Sequence, residues 1–177
     1  STVARILRDA GVEVIDADQI ARELSSPGGA AHAKILTEFG TADRKKLRAL
    51  VFNDAEARKR LESILHPLIR AATAARIEKL KQAAARTRLP IIYEAALLVE
   101  TGLYKELSGL LVVTAPREKR LKRLIKRDQT SRALAEQILD AQTSDEKRLA
   151  VANAVLANDG NEAELKAQVL SWLKLVH

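Results

Sequence analysis

Apolar residues group in two ways along this chain. Four short segments, residues 12–15, 90–99, 110–114 and 154–157, are apolar and rich in β-branched side chains without strict alternation. Continuous apolar runs suit strands buried on both faces of a parallel sheet; the second run is long for a strand, and its start fits best. Three of the four are followed by helix-start chemistry. Thr114-Ala115-Pro116-Arg117-Glu118 places proline at a first helical position, where its missing N–H costs nothing, and an acid in the positive first turn. Thr143-Ser144-Asp145-Glu146 reads as a capping box, and Asn161-Glu162-Ala163-Glu164 as its asparagine variant. This pattern predicts an α/β fold with a layered core.

Between Arg22 and Arg88 the period changes. Ser26-Pro27-Gly28-Gly29 breaks the chain, and apolar positions then recur at helical spacing over 31–39, 47–52, 61–65 and 68–80, with His66-Pro67 as a corner. The expectation is a helical insertion in the α/β core. Residues 118–150 form a second helical stretch, strongly basic at its start.

Composition narrows the function. Of 177 residues 47% are hydrophobic, yet charge interrupts them everywhere, and no run approaches the roughly 18 apolar residues that span a bilayer. The first residues, from Ser1 to Arg8, read as an amphipathic helix and lack the order of a signal peptide, so a cytoplasmic address is expected. Cysteine is absent, which excludes a disulfide scaffold and a thiol nucleophile among these residues. A net charge of +7 calls for a polyanionic partner. Aromatics at 3% leave few stacking platforms for single-stranded nucleic acid, so a phosphorylated small molecule is favoured over RNA.

Two constellations could carry chemistry. In Val14-Ile15-Asp16-Ala17-Asp18 an apolar strand runs out into two carboxylates. Open α/β sheets bind ligands at strand C-termini, so these acids can hold a metal or take a proton from a hydroxyl; equally, one of them can cap a helix over 19–24. In the helix from Lys119 to Arg127, Leu121, Leu124 and Ile125 share one face and six cations fill the rest. That is either a solvated charged face or, with Arg132 and Arg148, a phosphate clamp. His32, His66 and His177 have no metal-ligand spacing.

Residues 12–24, Leu65-His66-Pro67-Leu68-Ile69, Leu97-Leu98-Val99-Glu100-Thr101-Gly102-Leu103 and residues 141–160 resemble, in order, successive motifs of the dephospho-CoA kinases. The likeness covers nearly the whole chain. It implies a three-layer P-loop kinase-like parallel sheet core (residues 1–25, 89–118 and 151–177), a helical CoA-binding insertion (26–88) and a helical lid (119–150). The implied reaction moves the γ-phosphoryl group of ATP, with Mg²⁺, to the 3′-hydroxyl of dephospho-CoA. By the same resemblance Asp18 is the base, Ser1 and Asp16 reach magnesium, and Thr2, Arg127, Arg132 and Arg148 lie on the nucleotide side. Asp16, Arg22, His66, Leu97 and Glu100 would face the acceptor. The glycines and lysine of the phosphate loop do not appear before Ser1, the family's usual segment between Gly40 and Thr41 is not present, and Ala96 stands where the family commonly has proline. Neither nucleic acid nor membrane is expected as a partner. The rival readings are a nucleoside monophosphate kinase and a non-catalytic polyanion- or RNA-binding protein on the same scaffold.

Overall fold

The computed structural model describes residues 1–52, 54–140 and 142–176; Asn53, His177 and Ala141, where the C-terminal motif begins, lie outside them. The chain divides into two compact units, one of residues 11–95 and one of residues 1–10 with 96–177.

In the 11–95 unit, strand β1 (Glu13–Asp16) leads into helix α2 (Ala17–Ser25), followed by α3 (His32–Phe39), α4 (Arg44–Phe52), α5 (Ala55–Thr87) and strand β2 (Ile91–Glu94). The two strands pair in parallel, with Ile15 opposite Tyr93 and Asp16 opposite Glu94. Both runs of strand character end earlier or later than the hydrophobicity alone suggests: β1 extends to Asp16, and β2 uses only the start of its run before the chain turns. The helices pack around Ala31, Ile35 and Leu47, with Leu24, Phe39, Leu61, Leu65 and Leu68 against them. Each large aliphatic side chain so buried contributes about 1.5–3 kcal/mol. Gly29 has a packing reason: a Cβ there would collide with the carbonyl oxygens of Glu23 and Leu24, so only glycine lets α3 turn back onto α2.

The corner expected at His66-Pro67 is absent. Helix α5 runs for 33 residues straight through Pro67. A proline interior to a helix removes one backbone bond, at a cost of about 3 kcal/mol; Leu61, Ile64, Leu65 and Leu68 all contribute to the helical core on both sides of it, and this packing outweighs the break.

In the other unit, α1 (Thr2–Asp9) packs against α9 (Glu162–Leu173). Strands β3 (Leu111–Thr114) and β4 (Ala154–Ala157) are a second parallel pair, with Leu111 opposite Ala154. Between them run α6 (Arg117–Asp128), α7 (Arg132–Asp140) and α8 (Asp145–Ala150). Leu121, Leu124 and Ala135 form the α6–α7 seam, as the leucine stripe of the basic helix foretold. The asparagine capping box at Asn161 and Glu164 is complete. The other two helix starts shift by one residue. Pro116 is the N-cap of α6 and not its first helical residue, and Ser144, not Thr143, caps α8 by accepting from the Lys147 N–H. Thr143 is displaced from capping because both of its backbone groups are taken elsewhere: its N–H donates to Glu100, and its carbonyl accepts from Arg148.

Candidate active site

In the 11–95 unit the carboxyl ends of β1 and β2 lie side by side, so the acids of the sequence pair emerge where parallel sheets hold ligands. Asp16 takes the structural role: its Oδ1 accepts the Gln19 N–H at 2.9 Å as the N-cap of α2. Its Oδ2 lies 3.9 Å from Nη2 of Arg22, one and a half turns along the same helix. Asp18 stands outside that cap, exposed in the first turn of α2.

Asp18 has a definite neighbourhood. The phenol of Tyr93, at the end of β2, is held above the ordinary tyrosine range, first by burial and then by the negative charge of Asp18, while Thr73 and the Arg70 guanidinium oppose the rise. Both opposing residues belong to α5. His66, Arg70 and Thr73 follow at i, i+4 and i+7, so they share one face of that helix, and His66 is exposed. Arg76, one turn further on, bonds Glu23 and ties α5 to α2. Arg70, Thr73 and Tyr93 escaped the sequence reading. The spacing of the first two from His66 was the available signal; Tyr93 gave none, because its position opposite Ile15 depends on a strand pairing across some 75 residues of chain.

The unit of residues 1–10 and 96–177 carries the other candidates. Ser1 is the N-cap of α1, its Oγ accepting from the Ala4 N–H at 3.2 Å. Thr2 lines a cleft of about 190 Å³ together with Arg123, Asn158, Gly160, Glu162 and Leu165. Lys119 closes one side of the neighbouring loop by donating to the Asp159 carbonyl. Of these residues only Thr2 was singled out individually as a site residue in the sequence; Arg123 was read as one cation of the basic helix, and Asn158 and Gly160 as part of the motif over 141–160, with no local mark that sets each apart from its neighbours.

The remaining arginines are engaged within the protein. Arg127 bonds Asp128, and Arg132 bridges Glu118 and Glu136. Arg148 donates through Nε to the Thr143 carbonyl at 3.0 Å. Glu100 accepts the Thr143 N–H at 3.0 Å. Burial would raise the Glu100 carboxyl, but backbone hydrogen bonds, Thr143 and the Arg148 charge outweigh it and hold the group below the usual carboxylate range. Leu97 is exposed in the turn after β2, where its carbonyl accepts from Thr101. The structure therefore gathers Asp16, Asp18 and Arg22 at one strand edge, and Glu100 with Arg148 around Thr143. Arg127 and Arg132 join neither group.

Comparison with known proteins places the chain in a family. The sequence matches the dephospho-CoA kinase family model over residues 1–164. The chain belongs to the dephospho-CoA kinase family. A dephospho-CoA kinase of Geobacter sulfurreducens is 41% identical, the match covering 98% of this chain and 91% of that protein. One from Escherichia coli K12 is 40% identical, over 90% of this chain and 79% of the relative. Among solved structures, a crystal structure from Thermus thermophilus is similar with a TM-score of 0.76 and 31% identity, covering 99% of this chain and 91% of the other. A dephospho-CoA kinase from Campylobacter jejuni gives a TM-score of 0.66 and 29% identity over 99% and 90%. The paired parallel strands flanked by helices fit the P-loop kinase-like fold of that family, and membership makes the chain an ATP-using phosphotransferase. Among the described residues no helix is long and apolar enough to cross a membrane.

Proposed function

We propose that the chain performs its family's reaction, transfer of the γ-phosphoryl group of ATP to the 3′-hydroxyl of dephospho-CoA, with Asp18 taking the proton from that hydroxyl. The observation that carries this assignment is the division of labour at the end of β1. Asp16 is committed to the α2 cap, and Asp18 is left exposed where its charge reaches Tyr93, on which Thr73 and Arg70 of α5 also act. An ionised carboxylate within hydrogen-bond reach of an alcohol can accept its proton as the oxygen attacks phosphorus. Arg22 and the His66–Arg70–Thr73 face then serve the acceptor from the 11–95 unit, and Leu97 and Glu100, in the other unit, are further candidates for acceptor contact.

On the nucleotide side the cleft of Thr2, Arg123, Asn158 and Gly160 takes part of ATP, and Ser1 and Thr2 approach its phosphates from the start of α1. Arg127, Arg132 and Arg148 supply positive charge to the phosphoryl oxygens, which suits a reaction that needs positioning and charge neutralisation more than covalent help. Residues 26–88 then serve as the substrate-holding insertion, 119–150 as the lid, and 1–25, 89–118 and 151–177 as the nucleotide core.

Mg²⁺ fits the residues available. Among the described residues no cluster of three or more His, Cys, Asp or Glu side chains makes a cage, and magnesium characteristically takes only one or two protein oxygens together with substrate phosphates and water. Ser1 and Asp16 are hard oxygen donors of that kind. When bound, the ion would neutralise charge on the phosphates.

Asp18→Asn in the full-length enzyme is expected to lower turnover at least about 100-fold, the usual scale for a lost general base. ADP release coupled to a spectrophotometric assay measures it, with nucleoside monophosphates tested in place of dephospho-CoA. Near-parental turnover in the variant removes Asp18 from its role, and ADP release with a nucleoside monophosphate alone assigns a different acceptor.

A further inference from the structure

The carboxylate of Asp145 lies where arginines of two helices meet. Arg120, on α6, donates Nη1 to Oδ1 at 3.1 Å and Nη2 to Oδ2 at 2.8 Å, the paired geometry of a guanidinium fork on a carboxylate. Arg148, on α8, brings Nη2 to 3.7 Å from the same Oδ1 while two of its nitrogens serve the Thr143 carbonyl. These side chains are sheltered. Arg120 and Arg148 keep 25% and 22% of their exposure, against 74% for Arg127 and 57% for Arg132. Charges so placed are screened far less than surface pairs.

Two further observations give the cluster a direction. Arg120 has one donor, Nε, that is shielded from solvent and has no acceptor among the described residues. A charged donor in that condition calls for an acceptor that the protein itself does not supply. Arg123 stands three residues further along α6, on the same side of the helix, and lines the cleft beside Thr2 and Asn158. The contact that fixes Arg120 therefore also fixes the rotation and height of the α6 face that offers Arg123 to the cleft.

We propose that Asp145 is a positioning residue for the nucleotide: a single carboxylate holds Arg120 and Arg148 together and thereby sets the arginines of α6 and α8 in place before ATP binds. Two guanidinium groups side by side repel, and Asp145 is a carboxylate within ion-pair distance of both. This inference rests on Arg148 being on the nucleotide side.

Asp145→Asn in the full-length enzyme keeps the shape and one acceptor oxygen but loses the charge and the second strong bond. Steady-state kinetics against each substrate, with a thermal melt, are expected to show kcat lowered about ten-fold or more by misplaced groups, the KM for dephospho-CoA unchanged, and part of the loss recovered in Asp145→Glu. If Asp145 acts only as a negative charge near ATP, the asparagine variant shows a lower KM for ATP at parental kcat. If it is only a structural tie, the melting temperature falls and the kinetic constants do not. Either result overturns the proposal. Arg148→Ala separates the two levels: parental kinetics there remove Arg148 from the nucleotide side, whereas an impaired Arg148→Ala beside a parental Asp145→Asn removes only the role given to Asp145.

Discussion

Two aspartates two positions apart in this chain have opposite relations to the backbone. Asp16 accepts from the Gln19 N–H and closes the start of α2, whereas Asp18 is exposed in the first turn. The sequence pair left open whether one acid would cap a helix, and the family resemblance made Asp18 the base. The extra residue of β1 decided it, because a strand that ends at Asp16 makes that residue the N-cap. A second carboxylate gives a pH test. Glu100 is held below its ordinary value of 4.5 against the opposing effect of burial. A folded-state pKa depressed in this way adds stability that is present above the unfolded value and is lost as pH falls through the folded one. Glu100→Gln is therefore expected to lower the melting temperature at neutral pH, and the gap between variant and parent should close as the pH drops below 4.5. A gap that stays constant from pH 7 to 3 in thermal melts counts against the Thr143 and Arg148 contacts as its source.

The elements were legible wherever one local signal governs. The capping box at Asn161 and Glu164 and the leucine stripe of α6 came through because capping and 3.6-residue periodicity are properties of neighbouring residues. Helix α5 did not, since a proline reads as a stop and only the surrounding helices could override it. Pro67→Ala restores the missing backbone donor, an advantage partly offset by the looser unfolded chain that proline would have restrained. The denaturation midpoint in urea is expected to rise by the equivalent of about 1–2 kcal/mol. A fall would mean that α5 is adapted to the break, and parental stability with lost turnover would tie the break to the neighbouring His66.

On the scale of the whole chain, a charge of +7 and few aromatics suit a binder of small polyanions, and ligand binding should stabilise the fold by mass action. Each of ATP and dephospho-CoA at about 100 times its Kd is expected to add about 2.7 kcal/mol. Differential scanning fluorimetry reads this as a rise in melting temperature with either ligand and a larger rise with both. Nucleoside monophosphates in place of dephospho-CoA should give no second increment. A shift produced by RNA instead, and steeply weakened by salt, would favour the polyanion-binding rival.

The sequence by itself determined the class of fold, the order of its motifs and the acids at the end of β1, because these follow from periodicity, capping and residue chemistry within a few positions. Only the tertiary structure set Tyr93 near Asp18, drew Arg120 onto Asp145, and formed a cleft from Thr2, Arg123 and Asn158. Those partners are separated by tens of residues. Their meeting depends on parallel strand pairing and helix packing, which bring together positions that carry no mark of one another in the chain.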